Sequence, residues 1–428
     1  MATYLLCSTP NYGHVAPLLA IGQHLARAGH RVVFLTGSGF ADRIRAGGME
    51  PVALPAAADL DFDSPETILP DRDRYRGLAR ARYEIGTVFV RTITDQYRAV
   101  RALLPEVSPD ALLTDAAFAG VLPLLLGDAP RPPVLGAGVL PLIQSSRDVA
   151  PYGSALQPSA TPLGRVRNRV LQAGFERMAF RTLQSQAQRM LAEVGSAPLT
   201  AFVLDFSALF DRFLQLSVAE FEYPRSDLAP NTRFVGPVLP RPPQVAQLPA
   251  WWPELDGPRP VVHVTQGTMD NKDLGRLVRP AVAGLAGKDL LVVVTTGGRP
   301  VSELGALHAD VRAEEFLPYE ELLPRVDVMV TNRGYGGVQY ALAHGVPLVV
   351  AGDTEDKPEV AARVVHAGVG VDLRTGTPTP AAIAAGVQRV LGDPSHRTAA
   401  RAIAAAMAET TALQTIEEEL ARAAVQPA

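Results

Sequence analysis

The sequence predicts an α/β protein of two Rossmann-like, doubly wound parallel-sheet domains, and three observations carry that prediction. Short apolar runs of strand length alternate with amphipathic segments of helix length, the order expected of βαβ units. The alternation starts again after a proline-rich interruption. At 428 residues the chain also exceeds the size at which one hydrophobic core stops growing.

In the first half the strand candidates are Tyr4–Ser8, Arg31–Thr36, Ala111–Thr114, Val134–Ala137 and Leu214–Val218. Between the first two, Val15, Leu18, Leu19, Gly22, Leu25 and Ala26 recur at helical spacing, and Gly29 stands where a helix end favours glycine. The second half repeats the plan with Val261–Thr265, Leu290–Thr296, Val326–Thr331, Val346–Ala351 and Val369–Val371. Between the halves, Gly236–Pro243 and Trp251-Trp252-Pro253 hold too many prolines for a helix or a central strand, so residues 236–259 read as a linker. The domains are then 1–235 and 260–405, followed by a helical tail, 406–428, that is a candidate to pack back on the first domain.

Lys plus Arg number 40 and Asp plus Glu 44, a net charge of −4 with no long like-charge run, which speaks against a nucleic-acid or membrane-surface partner. Small molecules are the expected partners. Cys7, the single cysteine, lies in an apolar run and can form no disulfide within the chain. With no basic leader and no apolar stretch of about 20 residues, a cytoplasmic enzyme without membrane insertion is expected.

Four segments carry candidate chemistry. Pro10-Asn11-Tyr12-Gly13-His14-Val15-Ala16-Pro17 joins the carboxyl end of the first strand to a helix, the edge at which open α/β sheets bind ligands. A helix N-terminus favours the neutral imidazole that a general base needs, although His14 also fits a capping role. The other histidines, His24, His30, His263, His308, His344, His366 and His396, read as structural. Asp115 ends the strand Ala111–Thr114 at the same edge, where it is either an N-cap or the group that orients His14. In the second half, Thr331-Asn332-Arg333-Gly334-Tyr335-Gly336-Gly337 follows a strand and opens a helix, and Gln266-Gly267-Thr268 closes another strand. Glycines at a helix start let an anion approach free backbone N–H groups.

Together these segments resemble the UDP-glycosyltransferase superfamily of GT-B fold, especially bacterial members that decorate macrolides, polyketides and flavonoid-like aglycones. The resemblance covers nearly the whole chain: Gly13-His14-Val15-Ala16-Pro17 with Ala28-Gly29-His30-Arg31-Val32, then Phe316-Leu317-Pro318, Gly334-Tyr335-Gly336-Gly337, His344-Gly345-Val346-Pro347 and Asp356-Lys357-Pro358, in order. It implies two domains facing across a cleft, the acceptor held by the first near Asn11 and Gly13 and a nucleoside diphosphate sugar by the second. It implies His14 as catalytic base with Asp115 as its partner, Phe316 stacked on the nucleotide base beside Leu317, the diphosphate on Thr268, Gly336 and Gly337, the sugar hydroxyls on Asp356, and Gly267, Gly334 and Lys357 as further donor-binding positions.

The chain also departs from the family. Asn332 stands where many relatives have a phosphate-binding histidine, and Arg333 beside it is a candidate compensating charge. Tyr340 replaces a ribose-binding glutamate, and Lys357 replaces a glutamine. The implied activity is inverting transfer from UDP-glucose or a dTDP-deoxysugar to a hydroxyl of a small apolar natural product, with no metal and no cofactor. The rivals are a sugar-nucleotide epimerase of the same fold and a non-catalytic partner subunit. The irregular segments Asp59–Ala81 and Val139–Pro162 are candidate acceptor loops. Asp61, Asp63, Asp71 and Asp73 read as solvated loop charges; Asp353, Glu355, Asp356 and Glu359 form the one acidic group in the donor half that offers an alternative metal site.

Overall fold

The computed structural model describes residues 1–62, 64–239, 247–268 and 271–425, so Asp63 and the prolines at 240, 242 and 243 lie outside the described residues. The first sheet contains β1 (Thr3–Cys7), β2 (Arg31–Thr36), β3 (Glu50–Ala53), β4 (Ala111–Asp115), β5 (Val134–Gly138), β6 (Arg212–Gln215) and β7 (Thr232–Phe234). The second contains β8 (Val261–Thr265), β9 (Leu291–Thr295), β10 (Val311–Glu314), β11 (Val328–Thr331), β12 (Leu348–Val350) and β13 (Gly370–Asp372). Strand order is β3-β2-β1-β4-β5-β6-β7 in one and β10-β9-β8-β11-β12-β13 in the other. Neighbouring strands are parallel in both.

The central strands are buried on both faces because helices cover each side of a parallel sheet. Along β1, Leu5 and Cys7 enter one core layer with Val33 and Leu112, while Tyr4 and Leu6 enter the other with Phe34 and Leu113. Burial also pushes the Cys7 thiol far above its usual range, so it is an inert core group. Three strands escape the sequence reading: β3, β7 and β10. All are edge strands with partly exposed residues, and Glu50-Pro51 in β3 and Arg233 in β7 interrupt any apolar run. Proline is tolerated at such an edge. The segment expected as Leu214–Val218 pairs instead over Arg212–Gln215, with Leu216 and Val218 buried beyond the strand end.

The chain closes with the helices Pro394–Ala408 and Ala412–Val425. Ile416 and Leu420 of the last helix lie in the core layer of the first sheet with Tyr4 and Leu135. Its Glu417 bonds His24 Nε2 at 2.7 Å and His30 Nε2 at 3.2 Å, so those two histidines clamp the terminal helix. Among the described residues no helix is long and apolar enough to cross a membrane.

Candidate active site

Each sheet reverses its strand order once near its middle, between β1 and β4 and between β8 and β11. The crevice at the carboxyl ends of such a strand pair is where open α/β sheets hold ligands. At the first crevice, Asn11 caps the helix Tyr12–Arg27, its Oδ1 accepting the Gly13 N–H at 2.9 Å. The cap fixes the first turn and places His14, 6% exposed, with Nδ1 at 2.9 Å from Asp115 Oδ1. Asp115, 0% exposed, also accepts the Thr9 N–H on Oδ2 and the Ala117 N–H on Oδ1, both at 2.6 Å. A carboxylate occupied by two backbone donors acts only as an acceptor, so His14 Nδ1 carries the proton and Nε2 keeps its lone pair. The Phe89 ring lies 6.0 Å from the imidazole, a neighbour that the irregular sequence around it did not signal. Asn11 and Gly13 shape this turn, and Asn11 has its side-chain oxygen engaged in the cap.

At the second crevice the backbone is the feature. Gly267 has φ +71° and Thr268 is exposed. Asn271, which sequence reasoning passed over, donates its Nδ2 to the carbonyls of Gly267 at 3.1 Å, Thr296 at 3.1 Å and Gly297 at 2.9 Å, tying two loops together. Only glycine fits at 297, where a Cβ would fall 2.1 Å from the Gly267 oxygen. Asn332 donates from Nδ2 to the Gln266 carbonyl at 2.6 Å, bracing β8 against β11. One of its two amide hydrogens is therefore engaged within the protein.

The helix Tyr335–Ala343 starts at Gly334. Tyr335 turns into the core, whereas nothing stands within 4 Å of where a Cβ would be at Gly336 or Gly337. The first turn thus presents bare backbone to open space. Phe316, 36% exposed, packs its ring on Gly298, where a Cβ would lie 3.1 Å from Cζ. The Tyr340 ring meets Tyr319 edge-on at 5.6 Å, and its buried hydroxyl finds no partner among the described residues. Burial, the carboxylate of Glu320 and the hydroxyl of Tyr12 from the first domain all raise the Tyr340 pKa.

One of the sequence expectations needs correction. Arg333 neither faces a phosphate site nor points to solvent. It has φ +71°, is 3% exposed and pairs its guanidinium with Asp372 of β13. Burial lowers its pKa while Asp372 and Asp353 oppose that shift, so its charge is engaged inside the domain. Leu317 is 1% exposed in the core of the second domain, so its side chain serves packing.

Asp356 precedes the helix Lys357–His366. Its burial, then Glu355, push its carboxyl up to about 6, while Lys357 and, from the first domain, His14 act in the opposite sense. Lys357, 2% exposed, donates to Thr354 Oγ1 at 2.7 Å and lies 3.7 Å from Glu355. The rest of the acidic group is likewise engaged: Asp353 with Arg276 at 2.8 Å and Glu359 with Arg363 at 3.0 Å. Among the described residues no three His, Cys, Asp or Glu side chains are grouped to hold a metal ion.

Comparison with known proteins places this architecture. A family model described as Erythromycin biosynthesis protein CIII-like, C-terminal domain, matches residues 281–422. The chain is 41% identical over 398 residues to 4'-demethylrebeccamycin synthase of Lentzea aerocolonigenes, covering 92% of this chain and 93% of that protein. It is 34% identical over 432 residues to UDP-glycosyltransferase 2 of Phaeomoniella chlamydospora, covering 97% and 94%. Relatives therefore occur in fungi as well as bacteria. Its fold matches that of CalG4, the calicheamicin glycosyltransferase, with a TM-score of 0.73 at 21% identity over 100% of this chain and 99% of that one. It also matches glycosyltransferase VinC, solved in complex with dTDP, with a TM-score of 0.68 at 20% identity over 99% of both chains. From these likenesses and the two facing crevices, the chain belongs to the UDP-glycosyltransferase superfamily of GT-B fold and is a glycosyltransferase of the natural-product type.

Proposed function

We propose that the protein transfers a sugar, with inversion and without a metal ion, from a nucleoside diphosphate donor to a hydroxyl of a small apolar natural product. The donor is UDP-glucose or a dTDP-deoxysugar. The observation that carries this reading is the preassembled His14–Asp115 pair at one crevice, together with the open glycine turn at Gly336 and Gly337 at the other.

The acceptor hydroxyl gives its proton to His14 Nε2 as its oxygen forms a bond to the anomeric carbon. The carbon–oxygen bond to the diphosphate breaks on the opposite face, and the diphosphate leaves with that electron pair. Asp115 stabilises the imidazolium and holds its tautomer. Charge gathers on the leaving diphosphate, so fixed N–H groups in the open turn at Gly336 and Gly337, with Thr268, stabilise the transition state more than the ground state. Asp356 accepts hydrogen bonds from sugar hydroxyls, Phe316 stacks on the base, and the unpartnered Tyr340 hydroxyl is available to the ribose. The engagement of Asp353, Glu355 and Glu359 with neighbouring cations supports leaving-group stabilisation without an ion.

Mass spectrometry after incubation with a panel of nucleotide sugars and apolar aglycones tests this reading. Glycosylated product is expected only when donor and acceptor are both present, with turnover unaffected by excess EDTA. Conversion of the nucleotide sugar alone would instead mark an epimerase, and loss of turnover on chelation with recovery on adding magnesium would refute the metal-free account.

A further inference from the structure

The segment 139–161 belongs by sequence to the first domain, where it follows β5. Its base is tied to that domain: Gln215 Nε2 donates to the Leu140 carbonyl at 2.8 Å, and the Ser145 N–H to Asp205 at 2.8 Å. Its crest is not. Glu359 Oε1, on the second-domain helix Lys357–His366, accepts the Gly153 N–H at 2.8 Å and the Ala155 N–H at 2.9 Å. Gln157 Nε2 donates to the Ala362 carbonyl at 3.0 Å, and its Oε1 meets His366 Nδ1 at 3.1 Å. The other oxygen of Glu359 takes Arg363 Nη1 at 3.0 Å, and Arg363 Nε donates to Glu222 Oε2 at 2.7 Å. Glu222 Oε1 in turn accepts the Leu142 N–H and the Tyr335 hydroxyl, both at 3.1 Å. Glu222 is 3%, Glu359 4% and Arg363 1% exposed.

This arrangement exceeds what joining two domains requires. A single oxygen serving two backbone N–H groups, while its partner oxygen serves an arginine, needs a charged acceptor. Ala155 has φ +52°, a conformation that alanine holds only under constraint, and the Glu359 carboxylate supplies that constraint. Glu359 also lies one helical turn beyond Asp356, and Glu222 contacts Tyr335 at the start of the glycine-bearing helix. One buried network therefore links both proposed donor contacts to one loop.

We propose that Glu359 is a positioning residue that fastens the crest of the acceptor-side loop, residues 153–157, to the donor domain, so that a seated donor sets the acceptor pocket. This rests on the proposed function for the identity of the two ligands. In hydrogen exchange of the full-length protein, the amides of Gly153 and Ala155 are expected to be protected, further protected by uridine diphosphate, and to lose that protection in Glu359→Ala with or without it. With the aglycone that gives product, Glu359→Ala should raise the acceptor KM about tenfold or more and leave the uridine diphosphate Kd within about threefold. Glu359→Gln should fall between the two proteins. A merely structural role would move both constants together or neither, and that result overturns the proposal, as does unchanged exchange at Gly153 and Ala155. Where Glu359→Ala fails to fold, the exposed Gln157→Ala variant serves: it should raise the acceptor KM by a smaller factor at unchanged Tm, and no rise overturns the proposal. Absence of any uridine or thymidine diphosphate binding would remove the donor assignment instead, while exchange without ligand still decides the tether.

Discussion

The two crevices occupy equivalent places in two similar sheets and are built in opposite ways. The first holds side chains already hydrogen-bonded to one another: His14 to Asp115, and Asp115 to two backbone N–H groups. The second holds bare backbone, with open space beside Gly336 and Gly337 and a bracing amide at Asn332. A proton relay must be oriented before the acceptor arrives, because a misdirected imidazole accepts nothing. An anion cradle must instead stay unfilled, with its donors pointing at empty space. In the proposed mechanism this difference corresponds to proton transfer in the first domain and leaving-group charge in the second.

Substitutions that touch one crevice and not the other are the sharpest way to break this comparison. His14→Ala should lower turnover by about 10² to 10⁴ while calorimetric titration finds uridine or thymidine diphosphate affinity nearly unchanged. Asp115→Asn should show a comparable loss, because an amide neither stabilises the imidazolium nor enforces the tautomer. Equal losses of turnover and nucleotide affinity would merge the two crevices into one function.

A smaller effect concerns Asp356, whose carboxyl burial raises from 3.8 to about 6. It is ionised above about pH 6 and takes up a proton below it, losing an acceptor for the sugar hydroxyls. The donor KM should therefore rise as pH falls through 6, and Asp356→Asn should show a higher KM without that limb. The sign for stability is the reverse. Folding favours the protonated carboxyl, so the wild type should lose stability relative to Asp356→Asn as pH rises from 3.8 to about 6.

The smallest effect on donor binding is expected at Arg333. Its pairing with Asp372 makes Arg333→Ala a stability change, with Tm lower by about 5 °C or more. Nucleotide affinity should move less than about threefold and show no added salt dependence. A strong, salt-sensitive loss of affinity would return Arg333 to the diphosphate.

What was legible in the sequence follows the same physical divide. Central strands are buried on both faces and read as continuous apolar runs, whereas β3, β7 and β10 lie at sheet edges and carry mixed residues such as Glu50-Pro51. His14 and Asp115 could be paired because each ends or follows a strand that fixes its place on one sheet edge. Arg333 was misread because adjacency to Asn332 says nothing of a φ of +71° that carries the side chain to Asp372. The Glu222–Arg363–Glu359 network was invisible: Glu359 and Arg363 stand four residues apart like a solvated surface pair, and Glu222 lies 141 residues from Arg363.

The central claim is that an acceptor activated in the first domain displaces, in a single step, a diphosphate held in the second. The configuration of the new bond tests it most directly. With UDP-α-D-glucose, or another α-linked donor that gives product, the anomeric proton coupling in the NMR spectrum of that product should report a β-linkage. An α-linked product would mean retention, and His14 could not then be the base of a single displacement.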